Sequence, residues 1–459
     1  MKKLLLFLLL IPCLSNAITP VFTCGFECGV LASSAHFTTA SGAPTIETGT
    51  VRSGARSLRI NMAGTTEDVS TAITSTTILV GRFYIRFSTL PNTDVFIIND
   101  QNNFSVGVKF KQSDSKLYAF SFNSFGATGV SVTTGVWYRI DFKLNVSGTN
   151  DLVDVNVDGV ACGQSSANTG TTAITGVLLG DHNVSATADY YIDDLILSST
   201  SGDYPIGGGY VNQFVPTADG THSGLTTSDF GRTLTGTDIL NSTTDSYLLL
   251  DDVPMESGAS VDWINMLAPV ASSYVENIFG PASGISTPTV APRMVSIIIG
   301  IHAAGTGAYN AEWLLNDNGT TTAIFTASAV AGSTTVIYKT LNLSDPPSAA
   351  SSWTLSGNGN FNNLRVRFGP TASVDANPDV YFDCAMAEAE FAEVANTIPG
   401  TPSDKRHTTL GVGLTAFNNP LINSNSNEKT FNFVVSNNNN TLWVPERRKR
   451  VKRNTTSSN

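Results

Sequence analysis

Three segments between residues 137 and 197 alternate apolar and polar side chains with a period of two. Successive side chains of a β-strand point to opposite faces, so this alternation predicts antiparallel strands with one buried face. The apolar positions are Tyr138, Ile140, Phe142, Leu144 and Val146, then Val153, Val155 and Val157, and then those of the run 190–197.

Similar short runs, separated by Gly, Ser, Asn and Thr, continue to about residue 395, whereas helical periodicity is scarce. Many short strands with turn-rich spacing indicate an all-β protein built from sandwiches. The Gly- and Ser-rich segment 200–209 interrupts the pattern and is predicted to be a linker. We therefore expect two tandem antiparallel β-sandwich domains, at 18–199 and 210–395. The sequences at 189–193 and 379–383 share the pattern Asp-x-Tyr-apolar-Asp, which leaves an internal duplication open.

The N-terminus has the features of a secretory signal peptide over residues 1–17. Lys2 and Lys3 precede a short apolar run, and Ser15 and Ala17 supply small residues before a cleavage point. A lipoprotein signal that uses Cys13 is the alternative. No apolar run is long enough to span a bilayer, so the mature protein is predicted to be extracellular.

The C-terminal segment 396–459 is rich in Asn and Ser and contains the basic run 446–453. Such composition predicts a flexible, partly disordered tail, although contact with phosphates, anionic polymers or an acidic partner, or cleavage by a protease, are alternatives. The chain has a net charge of −11 despite this run, so its body is acidic. An acidic body argues against nucleic acid as a general partner.

Export would place the cysteines in an oxidising compartment. We expect at least one disulfide among Cys24, Cys28 and Cys162, with the pairing left open, and a buried free thiol at Cys384. A zinc site is the alternative, but only one pair of cysteines is closely spaced and no histidine is adjacent to it. The sequence therefore favours the disulfide.

Four motifs of the first half resemble the concanavalin A-like lectin/glucanase jelly roll of the LamG type. They are Gly54-Ala-Arg-Ser-Leu-Arg-Ile60, Trp137-Tyr-Arg-Ile-Asp-Phe142, Val155-Asn-Val-Asp-Gly159 and Tyr191-Ile-Asp-Asp-Leu195. The segments 202–207 and 216–222 are also similar to modules of phage virion and tail-associated proteins. The resemblance implies a jelly-roll sandwich over about 20–199, and a role at the surface of a particle or cell.

The catalytic motifs known for this fold are missing. Its hydrolases carry Glu-x-Asp-x-x-Glu on one strand, and its lyases carry Gln-x-His and Tyr-x-Lys. The nearest acidic group, Glu388, Glu390 and Glu393, lacks the central aspartate. Paired carboxylates are needed by most glycosidases, so we expect that the protein is not an enzyme.

Glycan binding on a sandwich uses exposed aromatic rings for stacking and polar side chains for hydroxyl groups. The candidates are Trp137, Tyr118, Tyr84, Asn102 and Asn103. No cofactor is expected apart from calcium, which carboxylates near strand ends can bind. The candidate ligands are Asp181, Asp189, Asp193 and Asp194, and the alternative is that they cap turns.

These features favour a non-catalytic protein, secreted or on a particle surface, that recognises a glycan or cell-surface polymer through the first sandwich. The alternative is a structural virion or surface component, such as a tail or decoration protein, that makes contacts only with proteins, including copies of itself. A polysaccharide-degrading enzyme with a divergent site is the third hypothesis.

Overall fold

The structure is a computed structural model. It describes residues 18–31, 36–101, 104–168, 170–221, 230–232, 250, 262–265, 274–305, 309–316, 321–329, 333–346, 352–357, 359–370, 378–393, 436–437 and 440–441. The predicted signal peptide and most of the predicted tail lie outside these residues. The described residues contain strands and two short 3-10 turns but no α-helix, which confirms the all-β prediction.

The first half of the chain forms one curled antiparallel sheet. Its strands are β1 Pro20–Cys24, β2 Thr39–Ser41, β3 Thr45–Glu47, β4 Ser57–Thr76, β5 Ile78–Thr89, β6 Val95–Asp100, β7 Val106–Lys111, β8 Lys116–Ser121, β9 Ser124–Phe125, β10 Val130–Ser131, β11 Trp137–Asn145, β12 Asp151–Val157, β13 Val160–Ala161, β14 Ser165–Ala167 and β15 Ile174–Ser198. The main order is β10-β8-β7-β6-β15-β5-β11-β12-β13.

The long strand β15 joins the parts of this sheet. Its first part pairs with β4 and β6, and its second part pairs with β4, β5 and β1. The core lies between the curled halves and includes the alternating positions Ile140, Phe142 and Leu144 of β11. The period-two pattern therefore correctly predicted the buried face of that strand.

The second half forms another curled antiparallel sheet. Its strands are β16 Gly209–Asp219, β17 Phe230–Arg232, β18 Asp262–Asn265, β19 Val275–Pro281, β20 Met294–Gly305, β21 Tyr309–Asn316, β22 Thr321–Ala329, β23 Ser333–Leu343, β24 Arg365–Pro370 and β25 Pro378–Ala392. The main order is β17-β18-β25-β16-β19-β24-β21-β22, and β20 pairs with β23 and β25. Strand β25 thus contacts three neighbours, much as β15 does in the first sheet.

Residues 1–399 form one compact unit and residues 400–459 a second. In the second unit, β26 Ser436–Asn437 and β27 Asn440–Thr441 pair as a hairpin. Among the residues described, no helix is both long and apolar enough to cross a membrane. The domain boundaries at 199 and 210 stay a prediction, although the segment between them is held closely: the Asp203 carboxylate accepts the Thr19 N–H at 2.8 Å.

The four cysteines of the described residues are buried and form no disulfide, in place of the bond predicted among Cys24, Cys28 and Cys162. Cys24 is the last residue of β1, which pairs with β15. Cys162 follows β13, and in the order of the sheet β5, β11 and β12 lie between β15 and β13. A disulfide requires Cα atoms within about 7 Å, and neighbouring strands are already about 4.8 Å apart. Cys162 therefore does not lie on a strand that neighbours the strand of Cys24. Cys28 packs instead with Cys384 and two apolar residues of the second sheet.

The second sheet contains a buried ion pair that should make stability depend on pH. Glu276 on β19 is buried and contacts Arg365 and Arg367 of β24, with the closest pairs at 3.2 and 2.8 Å. Burial raises the pKa of Glu276, but the Thr221 N–H and the two arginines outweigh it, so the pKa lies below its usual value.

We expect the Glu276→Gln variant to be less stable than the wild type at neutral pH, and the difference to shrink in acid. A carboxylate with a lowered folded-state pKa contributes stability that is present above its unfolded pKa of about 4.3 and is lost as the pH falls through the folded value. Urea unfolding at pH 7, 5, 4 and 3 measures this difference. For Glu47→Gln, whose ion pair with Arg59 is partly exposed, the difference should stay small throughout. If the difference in stability between the wild type and Glu276→Gln widened in acid, the lowered pKa of Glu276 would be contradicted.

Candidate functional site

The face of the first sheet that points away from its core, over strands β6 to β9, carries aromatic and lysine side chains. Alternate residues of these strands, such as Val95, Phe110 and Leu117, lie in the core. Their neighbours in sequence therefore share the opposite face. We call this set the aromatic face; its members are Phe96, Lys109, Lys111, Tyr118, Phe120 and Phe125.

The strand register places these residues side by side. Phe96 pairs directly with Lys109, and Lys109 pairs with Tyr118 on the other side. The rings of Phe96 and Phe120 meet edge to face at 5.3 Å, and the ring of Phe125 meets those of Phe120 and Tyr118 at 4.9 and 5.3 Å. The four rings therefore form a continuous row from β6 to β9, in which Phe96, Tyr118 and Phe120 are buried and Phe125 is half-buried.

Two ammonium groups lie over this row. Lys109 Nζ is 4.6 Å from the ring centroid of Phe96 and 4.4 Å from that of Phe120. Lys111 Nζ is 5.4 Å from the centroid of Tyr118 and 5.0 Å from that of Phe125. All four distances lie within the range of cation–π attraction, which fixes the lysines above the rings.

The charges around the face are partly compensated. Burial lowers the pKa of Lys109, while the carboxylates of Asp181 and Asp94 oppose that shift. The Tyr118 hydroxyl donates to Asp114 at 2.5 Å, and this hydrogen bond raises the pKa of Tyr118 to about 12. The phenol therefore stays neutral at physiological pH, and its proton is committed to Asp114.

The face becomes exposed at the turns that end β6 and β8. Phe122, two residues beyond Phe120, is 54% exposed and has a positive φ of 33°. Its N–H donates to the Ser105 carbonyl at 2.8 Å, which fixes the two turns together. The Phe104 ring stacks on the imidazole of His182 with centroids 5.6 Å apart. An accessible aromatic edge thus borders the lysine-covered row.

Of the predicted glycan-binding residues, only Tyr118 lies on this face. The guanidinium of Arg52 lies 3.3 Å from the ring centroid of Tyr84 and covers that face of the ring, so it is not available for stacking. Trp137 is half-buried at the start of β11 and pairs with Arg86. Asn102 and Asn103 lie outside the described residues.

Two of the predicted calcium ligands belong to a polar network between the two sheets. Asp194 accepts from Arg52 Nη1 at 2.6 Å, from the Ser53 hydroxyl at 2.5 Å and from the Val211 N–H at 2.6 Å. Asp193 accepts the Arg52 N–H at 2.8 Å, and burial together with the neighbouring Asp194 raises its pKa. Protein donors therefore occupy these carboxylates, as in the turn-capping alternative.

The other two predicted calcium ligands lie elsewhere on β15. Asp181 accepts the backbone N–H groups of Phe96, Asn183 and Val184, and its pKa is raised by burial. Asp189 pairs with Arg59. The structure thus does not gather the four aspartates around one point, and calcium binding there stays a prediction.

Every member of the acidic group near the end of β25 contacts a residue of the first half of the chain. Glu390 pairs with the buried Arg82 at 3.1 Å and with Arg293, and Glu393 pairs with Arg52. The Glu388 carboxylate accepts the N–H groups of Gly25 and Cys28. Each of these carboxylates is thereby held by charged or backbone donors rather than facing solvent as an acid–base pair.

No family model and no curated protein matches this chain. Among solved structures, a sialidase is similar at 16% identity with a TM-score of 0.26, over 38% of this chain and 19% of the sialidase. Domain 4 of a GH43 extracellular arabinanase from Geobacillus stearothermophilus, in complex with arabinotriose, is similar at 14% identity with a TM-score of 0.30, over 39% of this chain and 92% of that domain. The catalytic domain of a glycoside hydrolase family 131 protein from Coprinopsis cinerea has 12% identity and a TM-score of 0.26, over 36% and 83% of the two chains.

These neighbours contradict one expectation from the sequence. The missing motifs predicted that the protein is not an enzyme, but the neighbours include glycoside hydrolases and sialidases. That prediction is therefore withdrawn. The likeness establishes no activity for this chain, and the chain spans only about a fifth of the sialidase that it resembles.

Proposed function

We propose that the protein binds carbohydrate on the aromatic face of its first sheet. The observation that carries the proposal is the row of four rings with the ammonium groups of Lys109 and Lys111 above it. The resemblance of the first half to concanavalin A-like lectins supports this class of ligand. Recognition of a cell-surface polymer by a secreted or particle-surface protein is the setting that we propose for it.

The chemistry of the face suits a sugar. The C–H faces of a pyranose are apolar and stack on aromatic rings. Since Phe96, Tyr118 and Phe120 are buried beneath the lysines, the exposed ring of Phe122 at the edge of the row offers the surface for stacking. Lysine ammonium groups donate up to three hydrogen bonds each and suit hydroxyl or carboxylate oxygens. The two ammonium groups can pair with the carboxylate of an acidic sugar, in competition with the carboxylates of Asp94 and Asp181 beside Lys109.

We expect Lys109→Met to weaken binding to an acidic polysaccharide at least about tenfold, or 1.4 kcal/mol. Methionine keeps an apolar stem over the rings of Phe96 and Phe120 but removes the charge and its donors. A glycan array finds the ligand, and calorimetric titration of wild type and variant measures the loss.

The matched control is Lys143→Met on β11. Lys143 Nζ also lies over an aromatic ring, 5.2 Å from the centroid of Tyr204, but outside the aromatic face. A second pair compares Phe122→Ala with Val160→Ala, since both side chains are more than half exposed. Equal losses in variant and control would contradict the proposed face, and self-assembly without glycan binding would favour the structural alternative.

A further inference from the structure

Three side chains with metal-binding atoms converge where β1 and the loop after it meet β25. Cys24 ends β1, His36 lies in the following loop, and Glu388 comes from β25. The Cys24 thiol, a ring nitrogen of His36 and a carboxylate oxygen of Glu388 all lie within 4.8 Å of one another, and all three residues are buried. We propose that these side chains bind a divalent transition-metal ion, with zinc as the best fit to one sulfur, one nitrogen and one oxygen ligand.

The imidazole of His36 is the second observation that indicates a ligand. Both ring nitrogens are buried, and neither makes a hydrogen bond to any residue that the structure describes. Nε2 lies 3.2 Å from Glu388 Oε2, which is ion-pair distance without hydrogen-bond geometry. Two ligand atoms that are each about 2.0–2.1 Å from a tetrahedral ion are themselves about 3.3 Å apart, so the contact has the spacing of two ligands of one ion.

The surroundings orient the carboxylate and the thiol. Glu388 accepts the Gly25 N–H at 2.8 Å and the Cys28 N–H at 3.2 Å, and the Cys24 sulfur accepts the Phe26 N–H at 3.3 Å. Such hydrogen bonds around metal ligands hold them in place and tune their basicity. The loop 24–28 therefore wraps around the position that an ion would take.

Further ligand atoms lie near the three side chains. Glu27 is buried beside Glu388, and the buried thiol of Cys28 lies close to Cys24. A divalent ion would take Cys24 as the thiolate, with release of the thiol proton to solvent.

Cys28 is the natural fourth ligand. Cys24-Gly-Phe-Glu-Cys28 has three residues between its cysteines, within the two to four that are typical of structural zinc sites. In the structure the Cys28 thiol contacts the Val30 carbonyl at 3.6 Å, so a side-chain rotation would be needed to bring it to the ion. Bound metal would then link the first strand to the second sheet.

The test uses the full chain, purified with a reductant and stripped by a chelator. We expect one Zn²⁺ per chain on titration and a rise in melting temperature, and we expect Co²⁺ to give thiolate charge-transfer absorption. X-ray absorption of the zinc-loaded wild type should show one or two sulfur ligands together with nitrogen and oxygen. Absence of stoichiometric binding, zinc without a sulfur ligand, or a Cys24–Cys28 disulfide in the purified protein would each overturn the proposal.

Variants locate the ion. Cys24→Ala and His36→Asn should each weaken Zn²⁺ binding at least tenfold, whereas Cys162→Ala, which removes another buried thiol, should leave it unchanged. Circular dichroism verifies folding of each variant. If a ligand variant does not fold, the sulfur coordination of the wild type decides instead. Unchanged affinity in folded Cys24→Ala and His36→Asn proteins would overturn the assignment.

Discussion

Replacing Glu390 by glutamine should lower the free energy of unfolding by about 3–5 kcal/mol, the usual cost of removing one partner of a buried ion pair. The Glu390 carboxylate is fully buried and serves both Arg82, itself fully buried, and Arg293. Glutamine keeps the size of the side chain but removes its charge. Two arginines would then lie between the sheets without this carboxylate, and their desolvation would no longer be compensated. Urea unfolding of the full chain measures the loss.

The control for this variant is Asp154→Asn. Asp154 pairs with Lys143 at 3.1 Å, but both side chains are partly exposed, so its loss should cost less than about 1 kcal/mol. A double replacement of Glu390 and Arg82 should recover part of the loss if the two charges interact. A Glu390→Gln protein as stable as the Asp154→Asn protein would show that the pairing contributes little.

The fold class was predictable because burial in a sandwich follows a local rule. In β11, each apolar residue of the alternating run faces the core or packs against it, and no distant information is needed to see this. The strand β15 also carries the predicted run 190–197, but it is 25 residues long and pairs with four strands. The length of β15 depends on which strands pair with it, and the periodicity of its own sequence does not show this.

The role of the polar candidates could not be predicted because their partners are distant in sequence. Asp194 is held by Ser53, 141 residues away, and Glu390 pairs with Arg293, 97 residues away and directly before β20. An isolated Asp-Asp or Glu-x-Glu motif resembles a cation or catalytic site until these donors are known. The environment of Tyr84 was unpredictable for the same reason, since the arginine that covers its ring comes from a separate loop.

The aromatic face was only partly visible in the sequence because β8 is apolar on both sides. Leu117 and Ala119 lie in the core, while Tyr118 and Phe120 lie on the opposite face. Periodicity cannot decide which of two apolar faces is the core. The lysines at alternate positions of β7 were the available signal, since Lys109 and Lys111 must face away from the core. The sequence favours a disulfide over a zinc site for a related reason. His36 and Glu388 are distant from Cys24 in sequence, and only the fold brings the three side chains together.

The second large effect is expected at Gly107, on β7 of the aromatic face. A Cβ atom there would lie 2.1 Å from the Ile98 carbonyl oxygen and 2.8 Å from the Asn99 Cα, both backbone atoms of the neighbouring strand. Backbone cannot rotate away as a side chain can, so Gly107→Ala should force β6 and β7 apart and cost about 2–3 kcal/mol. Urea unfolding measures this cost.

The same displacement would separate Phe96 on β6 from Lys109 on β7, so carbohydrate binding should weaken together with stability. Gly49→Ala is the matched control, because a Cβ atom at Gly49 meets nothing within 4 Å. If Gly107→Ala lost stability but bound the ligand as the wild type does, the binding surface would not depend on the spacing of β6 and β7. In that case Lys109 and Lys111, which this spacing holds above the rings, would not be the groups that recognise the sugar.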